Sequence, residues 1–202
     1  MICLMMNKPR GYLTALSDER QATVADLLPE EYKGAGIFPI GRLDKDTEGL
    51  LLFTDDGGLC HRLLSPESGI SKSYFFVSLG ALSEEDRVAI EKGVRIYKNS
   101  DFVTAPASVE ILSHLKVTEA SEYLSGEDQR LLKRRTPATV TVGRVTVSEG
   151  KKHQVRRMVG SRGGRVLFLR RISFAGLSLD PGLPLGAVRP LTEDEIALLK
   201  TQ

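Results

Sequence analysis

The chain has 202 residues, 41% hydrophobic and 27% charged, a composition that excludes wholesale disorder and suits one larger domain or two small lobes sharing a core. No apolar run approaches the roughly 20 residues that cross a bilayer, and residues 1–6 lack the basic start and cleavage site of a signal peptide, so the expected location is the cytoplasm. The formal net charge of +2 conceals an asymmetry: residues 150–171 (GKKHQVRRMVGSRGGRVLFLRR) hold eight Lys or Arg and no acid, leaving 20 basic residues against 26 acidic elsewhere.

A basic concentration of that kind is the footprint of a phosphate-gripping surface, although a solvated helix face followed by an Arg-rich strand would read the same. Cys3 and Cys60 lie far apart with no CxxC partner. Neither a zinc site nor a disulfide framework is suggested, and apolar packing is their expected role.

In chain order, the apolar start predicts a buried strand over residues 2–6, closed by Pro9 and a turn at Arg10-Gly11. A helix is predicted from Thr23 to Leu28, ended by Pro29. GIFPIG (36–41) and GLLLFT (49–54) read as strands that bracket the polar connection RLDKDTE, and Thr54 or Asp55 can cap a short helix through Leu64. KSYFFVSL (72–79) is strand-like, and Ser83 with Asp86 opens a helix that Gly93 stops.

VRIY and FVTAPASVEIL add further strands, whereas residues 113–136 lose the period-two pattern and predict a charged excursion, a hairpin or flexible loop. ATVTVGRVTVSEG resumes as strand. A helix is predicted from Lys152 to Val159 with Val155 and Val159 facing inward, stopped by Gly163-Gly164 before the strand RVLFLRRISF. Thr192 with Glu195 opens the last helix. Strands joined sometimes by turns and sometimes by helices predict an α+β layout with a mixed, largely antiparallel sheet in two lobes and flanking helices, residues 1–202 forming one domain.

Two segments could carry chemistry. In GRLDKDTEGLLLFTDDG (41–57) a charged loop between two apolar strands offers Asp44, Asp46 and Glu48 as candidate carboxylates. In EGKKHQVRRM (149–158) a helix start offers His153, Gln154, Arg156 and Arg157; neighbouring residues on a helix point in different directions, so one arginine can face a pocket while the other meets phosphate.

Together with NKPRGYLTA near the start, KSYFFVSL, and the closing RVLFLRRISFAGLSLD and GAVRPLTEDEIALL, these segments resemble, in order, the catalytic domain of RsuA-type ribosomal RNA pseudouridine synthases. The resemblance covers nearly the whole chain. It implies the pseudouridine synthase fold with a central catalytic cleft, and puts the family's catalytic aspartate on Asp44, its base-stacking tyrosine on Tyr74 and its aspartate-pairing arginine on Arg156. The buried leucine near the family's site falls on Leu169. This family branch commonly begins with a small RNA-binding S4 domain; with NKP starting at residue 7 none is expected here, and RNA affinity is expected to lean on residues 150–171.

The chemistry fits these residue types. Pseudouridine formation breaks the N1–C1′ bond, turns the freed uracil and joins C5 to the same sugar carbon, a redox-neutral exchange that calls for no cofactor and no metal. An ionised, well-aimed Asp carboxylate can attack at the sugar or act through an elimination route, and an adjacent arginine favours its charged form. A uridine in folded RNA must leave its stack, and an aromatic face such as Tyr74 recovers part of that cost.

Phosphate contacts are expected from Arg157, Arg162, Arg165, Arg170 and Arg171, although alternate residues of the 165–171 strand face opposite ways and not all can touch RNA, with Arg10, Arg42, Lys151, Lys152 and His153 completing the RNA-facing set. His153 at a helix start suits phosphate contact better than general-base work. The expected partner is ribosomal RNA or a ribosomal assembly intermediate, with no membrane and the chain a monomer. Two rivals are weighed against this. A glycoside or nucleoside hydrolase would pair Asp44 with Asp46 or Glu48 but lacks the Trp platforms sugars favour. A non-catalytic RNA-binding ribosome assembly factor on the same fold would not need Asp44, Tyr74 and Arg156 together.

Overall fold

The structure, a computed structural model, describes residues 1–132 and 138–202. In chain order the elements are β1 (Cys3–Lys8), β2 (Phe38–Ile40), β3 (Glu48–Thr54), α1 (Gly57–Leu64), β4 (Lys72–Leu79), α2 (Glu84–Lys92) and β5 (Ser108–Lys116). They continue with α3 (Gly126–Leu132), β6 (Thr139–Val147), α4 (Gln154–Gly160), β7 (Arg165–Phe174), β8 (Leu177–Ser178), β9 (Val188–Pro190) and α5 (Glu193–Lys200). Parallel and antiparallel strand pairs occur together, flanked by helices, so the class is α+β as expected. The chain divides into two units, Met1–Lys72 with Arg170–Gln202, and Ser73–Leu169.

In the first unit the strand order is β7-β3-β1-β9, with β2 on β3 and β8 on β7. Every residue of β1 and β3 is buried. A strand with no solvent face has no reason to alternate, which is why CLMMNK and EGLLLFT are nearly continuous apolar runs. β3 runs parallel to β7 with Glu48 opposite Arg170 and Gly49 opposite Arg171. Gly49 has φ 103°, and a Cβ there would stand 2.2 Å from the Arg171 carbonyl oxygen, so only glycine permits this approach.

Met5, Leu50 and Leu52 from the sheet, Leu59 and Leu63 from α1, Phe174, and Leu199 from α5 form the core of this unit. Cys3 belongs to it and Cys60 packs against it, both as free thiols, in the apolar role expected of them. Two local details differ from expectation. The cap of α1 is Asp56, whose carboxylate accepts the Leu59 N–H at 2.9 Å. Thr54 cannot cap because β3 pairs through it with Cys3; its hydroxyl instead accepts the Asp56 N–H at 3.0 Å, and Asp55 accepts the Ile2 N–H at 2.7 Å. The predicted helix after Thr23 is a single 3₁₀ turn, Val24–Leu27, opened by the Thr23/Asp26 capping box.

In the second unit the order is β5-β6-β4-β7. β4 spans KSYFFVSL, and α2 starts at the Ser83/Asp86 box and stops at Gly93, both as predicted. Residues of VRIY do not form a strand: Arg95 makes one isolated bridge to Val103, and the ladder begins only at Ser108. The charged excursion is shorter than predicted, because β5 continues to Lys116. Past β5 the chain makes a 3₁₀ turn, Ser121–Tyr123, and then α3. The remainder of the predicted excursion, residues 133–136, lies outside the described residues.

α4 begins at Gln154, two residues later than predicted. Gln154 closes a turn on Lys151 in both directions, its N–H donating to the Lys151 carbonyl at 3.0 Å and its side-chain oxygen accepting the Lys151 N–H at 2.9 Å. That turn leaves His153 left-handed at φ 54°, where a non-glycine residue is disfavoured by about 1 kcal/mol. Val155 and Val159 face inward as expected, buried with Phe76, Val145, Met158 and Leu169.

Candidate active site

The charged loop between β2 and β3 is pinned by the segment NKPRGYLTA. Lys8, the last residue of β1, has no solvent exposure. Its ammonium donates to the carbonyls of Pro9 at 3.0 Å, Asp44 at 3.2 Å, Lys45 at 3.4 Å and Thr47 at 3.0 Å. Three N–H groups serve four acceptors, so the cage closes around the cation rather than along separate bonds.

Gly11 adds its N–H to the Lys45 carbonyl at 2.8 Å. The Thr14 hydroxyl brackets Leu43, donating to its carbonyl at 2.8 Å and accepting its N–H at 3.1 Å. Asp44 is thereby held at its own carbonyl and through both neighbours. Burial lowers the Lys8 pKa from 10.5 to about 8, while the charges of Asp46, Asp44 and Glu48 hold it up.

The three candidate carboxylates meet different surroundings. Glu48 is buried and forms ion pairs with Arg170 at 2.8 Å and Arg10 at 3.3 Å, both arginines remaining partly exposed. Asp46 is exposed and Asp44 half-buried, and the Asp44 carbonyl also accepts the Thr47 N–H at 3.0 Å. Glu48 is thus committed to fixing two cations, which removes it from the hydrolase pairing with Asp44. Arg42 is exposed at the start of the loop.

The second unit carries the other residues singled out. Tyr74 on β4 is half-buried and packs against the cluster that contains Leu169, itself 4% exposed. Arg156 and Arg157 diverge, as their spacing predicts. Arg156 donates from Nη1 to the Val166 carbonyl at 3.2 Å, and the Arg157 guanidinium lies 4.6 Å from the centre of the Tyr97 ring. Lys151, Lys152 and His153 are exposed.

One expectation for the basic stretch is overturned. Arg171 is 2% exposed, donates from Nε to the Leu50 carbonyl at 2.8 Å and covers the Phe174 ring at 5.0 Å. It holds β7 to β3 and is not available to phosphate. Arg162 and Arg165 are exposed but already paired, with Asp86 at 2.8 Å and Asp128 at 3.4 Å.

Lys8 is the anchor of this loop, and sequence reasoning missed it. Its signal was present, a lysine two residues past the apolar run and directly before proline. Among the described residues no group of three or more His, Cys, Asp or Glu lies together to hold a metal, and no helix is long and apolar enough to cross a membrane.

The first unit thus carries a carboxylate loop pinned by a buried lysine, and the second an aromatic residue on a strand and a divergent arginine pair. The chain belongs to the RNA pseudouridylate synthase family, which matches residues 2–161. It is 43% identical over 198 residues to "Uncharacterized RNA pseudouridine synthase YtzG" of Bacillus subtilis (strain 168), a match covering 98% of this chain and 73% of that protein. It is 35% identical over 195 residues to "Ribosomal small subunit pseudouridine synthase A" of Salmonella typhimurium (strain LT2), covering 96% of this chain and 71% of that one. Among solved structures, a pseudouridylate synthase superposes with a TM-score of 0.77 at 32% identity, covering 98% of this chain and 73% of the other.

Proposed function

We propose that the chain isomerises a particular uridine of ribosomal RNA to pseudouridine, with Asp44 as the reactive carboxylate and no cofactor. The observation that carries the assignment is the anchored loop: of the three carboxylates, Asp44 is half-buried and its backbone is clamped by Lys8 and Thr47. In this reading Asp44 acts on the glycosidic bond or sugar carbon, Arg156 takes the part of the family's aspartate-pairing arginine, and Tyr74 stacks on the extruded base. The freed uracil turns, C5 bonds to C1′, and the C5 proton is lost as N1 regains one, so atoms and charge balance without a redox partner.

Arg10, Arg42 and Arg170 in the first unit, and Lys151, Lys152, His153 and Arg157 in the second, are proposed to meet the RNA backbone, with Leu169 walling the pocket. The relatives named for the ribosomal small subunit make that subunit's RNA the first substrate to try, naked or in an assembly intermediate, and the cytoplasm the compartment.

The test is incubation with small-subunit ribosomal RNA and particles from a strain lacking this gene, followed by carbodiimide-dependent primer extension, with Asp44→Asn in parallel. A new stop made by the wild type and absent with Asp44→Asn is the expected result. No stop on any ribosomal RNA, with salt-sensitive binding intact, would overturn the reading in favour of an RNA-binding assembly factor.

A further inference from the structure

In the Ser73–Leu169 unit two of the cations proposed to meet the RNA backbone, Lys151 and Arg157, lie against a pair of aromatic rings, Tyr97 and Phe102, that the synthase reading leaves unused. Gly93, at φ 103°, ends α2 where a Cβ would stand 2.3 Å from the Thr104 carbonyl oxygen. The chain therefore folds back closely, and Val94 and Thr104 bond in both directions at 3.0 Å, the Thr104 N–H to the Val94 carbonyl and the Val94 N–H to the Thr104 hydroxyl. The bridge between Arg95 and Val103 closes the base of a short loop. Tyr97 and Phe102 sit half-buried on that loop with their rings 5.9 Å apart.

Glu149 ties this loop to the basic turn before α4. One of its carboxylate oxygens accepts the Ala105 N–H at 2.9 Å and the Gln154 side-chain amide at 2.8 Å. Gln154, 5% exposed, in turn holds the Lys151 N–H at 2.9 Å. The latch brings each cation onto a ring, Lys151 5.0 Å from the centre of Phe102 and Arg157 4.6 Å from that of Tyr97.

Core packing alone would be served by aliphatic side chains at these half-buried positions. Two rings with a cation on each match instead the two features of a nucleotide, a π face and a phosphate. The surroundings favour an anion: Lys98, Lys152 and His153 are exposed nearby in sequence, Asp101 is engaged by Arg95 at 3.2 Å, and Glu149 is used by the latch. Only unpaired RNA offers a base face, because a duplex hides its bases in the stack.

We propose that Tyr97, Phe102, Lys151 and Arg157 form a subsite for an unpaired segment of the RNA that carries the target uridine. The proposal rests on the synthase reading and extends it to the substrate's form, single-stranded next to the modified position.

The test is fluorescence anisotropy of the full chain with a labelled oligouridine of roughly 12 nucleotides, within the usual single-strand site size, and with an RNA duplex of similar length. Tyr97→Leu combined with Phe102→Leu keeps apolar bulk and removes both π faces. It is expected to raise the single-strand Kd by about tenfold or more, with duplex binding held within about twofold. An unchanged single-strand Kd, or equal losses on both probes, would overturn the subsite.

Lys151→Gln, at an exposed position, keeps the test usable should the double variant fail to fold. It is expected to lower the slope of log Kd against log salt for the single strand by about 0.7, and an unchanged slope would overturn the proposal. Asp44→Asn should bind oligouridine as the wild type does. Binding is thus read apart from pseudouridine formation, and a protein that binds through the subsite yet makes no product refutes only the synthase reading.

Discussion

Replacing Lys8 with methionine removes the caged ammonium while keeping a flexible side chain of similar reach. Burial has brought the Lys8 pKa from 10.5 to about 8. At about 1.4 kcal/mol per pH unit, removing the charge relieves about 3 kcal/mol. Against that, the carbonyls of Asp44 and Lys45 keep a second donor, the N–H groups of Thr47 at 3.0 Å and Gly11 at 2.8 Å. The carbonyls of Pro9 and Thr47 lose the donor that Lys8 supplies. Two buried acceptors left unserved cost roughly 2–6 kcal/mol together. The net loss is therefore no more than about 3 kcal/mol, a fall in Tm of up to about 10 °C for a chain of this size.

The effect on rate should be larger than the effect on stability, because the cage sits directly under Asp44. A reactive group misplaced by about 1 Å can cost roughly 100-fold, so kcat is expected to fall by about that factor. The assay is release of tritium from C5-labelled uridine in ribosomal RNA, run beside thermal melting.

The pH dependence supplies a second reading. The native Lys8 pKa lies below its unfolded value, so between about pH 8 and 10.5 the unfolded chain binds more protons than the native one. Lys8's contribution to stability therefore rises with pH through that window. A neutral amine has only two N–H groups for the four carbonyls, so kcat should decline as pH rises through about 8 in the wild type and show no such step in Lys8→Met. Activity of Lys8→Met within about threefold of wild type, or identical alkaline limbs for the two proteins, would refute the cage argument.

The arginines supply two further tests. Glu48→Gln leaves the Arg10 and Arg170 guanidiniums without their shared carboxylate; both are partly solvated, so the expected cost is about 1–2 kcal/mol in urea unfolding, with RNA affinity reduced because the two cations are no longer held in place. Arg171→Gln should lower Tm while leaving the salt dependence of oligouridine binding as in the wild type, whereas Arg157→Gln should reduce that slope by about 0.7; a salt effect from Arg171→Gln would contradict its buried position.

Much of the fold was legible because its signals are local. Ser83 with Asp86 and Thr192 with Glu195 open helices at the predicted residues, since a capping box is complete within three positions. KSYFFVSL and the strands around RLDKDTE were likewise readable, as was the divergence of Arg156 and Arg157. Boundaries slipped where a longer-range partner competed with a local signal, as when pairing with Cys3 kept Thr54 in β3 and passed the cap to Asp56.

By itself the sequence determined the α+β class, the order of elements, and a basic stretch and acidic loop that resemble one family of RNA-modifying enzymes. The tertiary structure decided what each charge does. Asp44, Asp46 and Glu48 all read as carboxylates within five residues, and only the fold buries Glu48 between two arginines. Lys8 meets the Asp44 and Thr47 carbonyls across 36 and 39 residues, and Arg171 meets Leu50 across 121. A charge is stable in a protein interior only when its partners are already there, and partners that far apart in sequence are brought together by the folded chain alone.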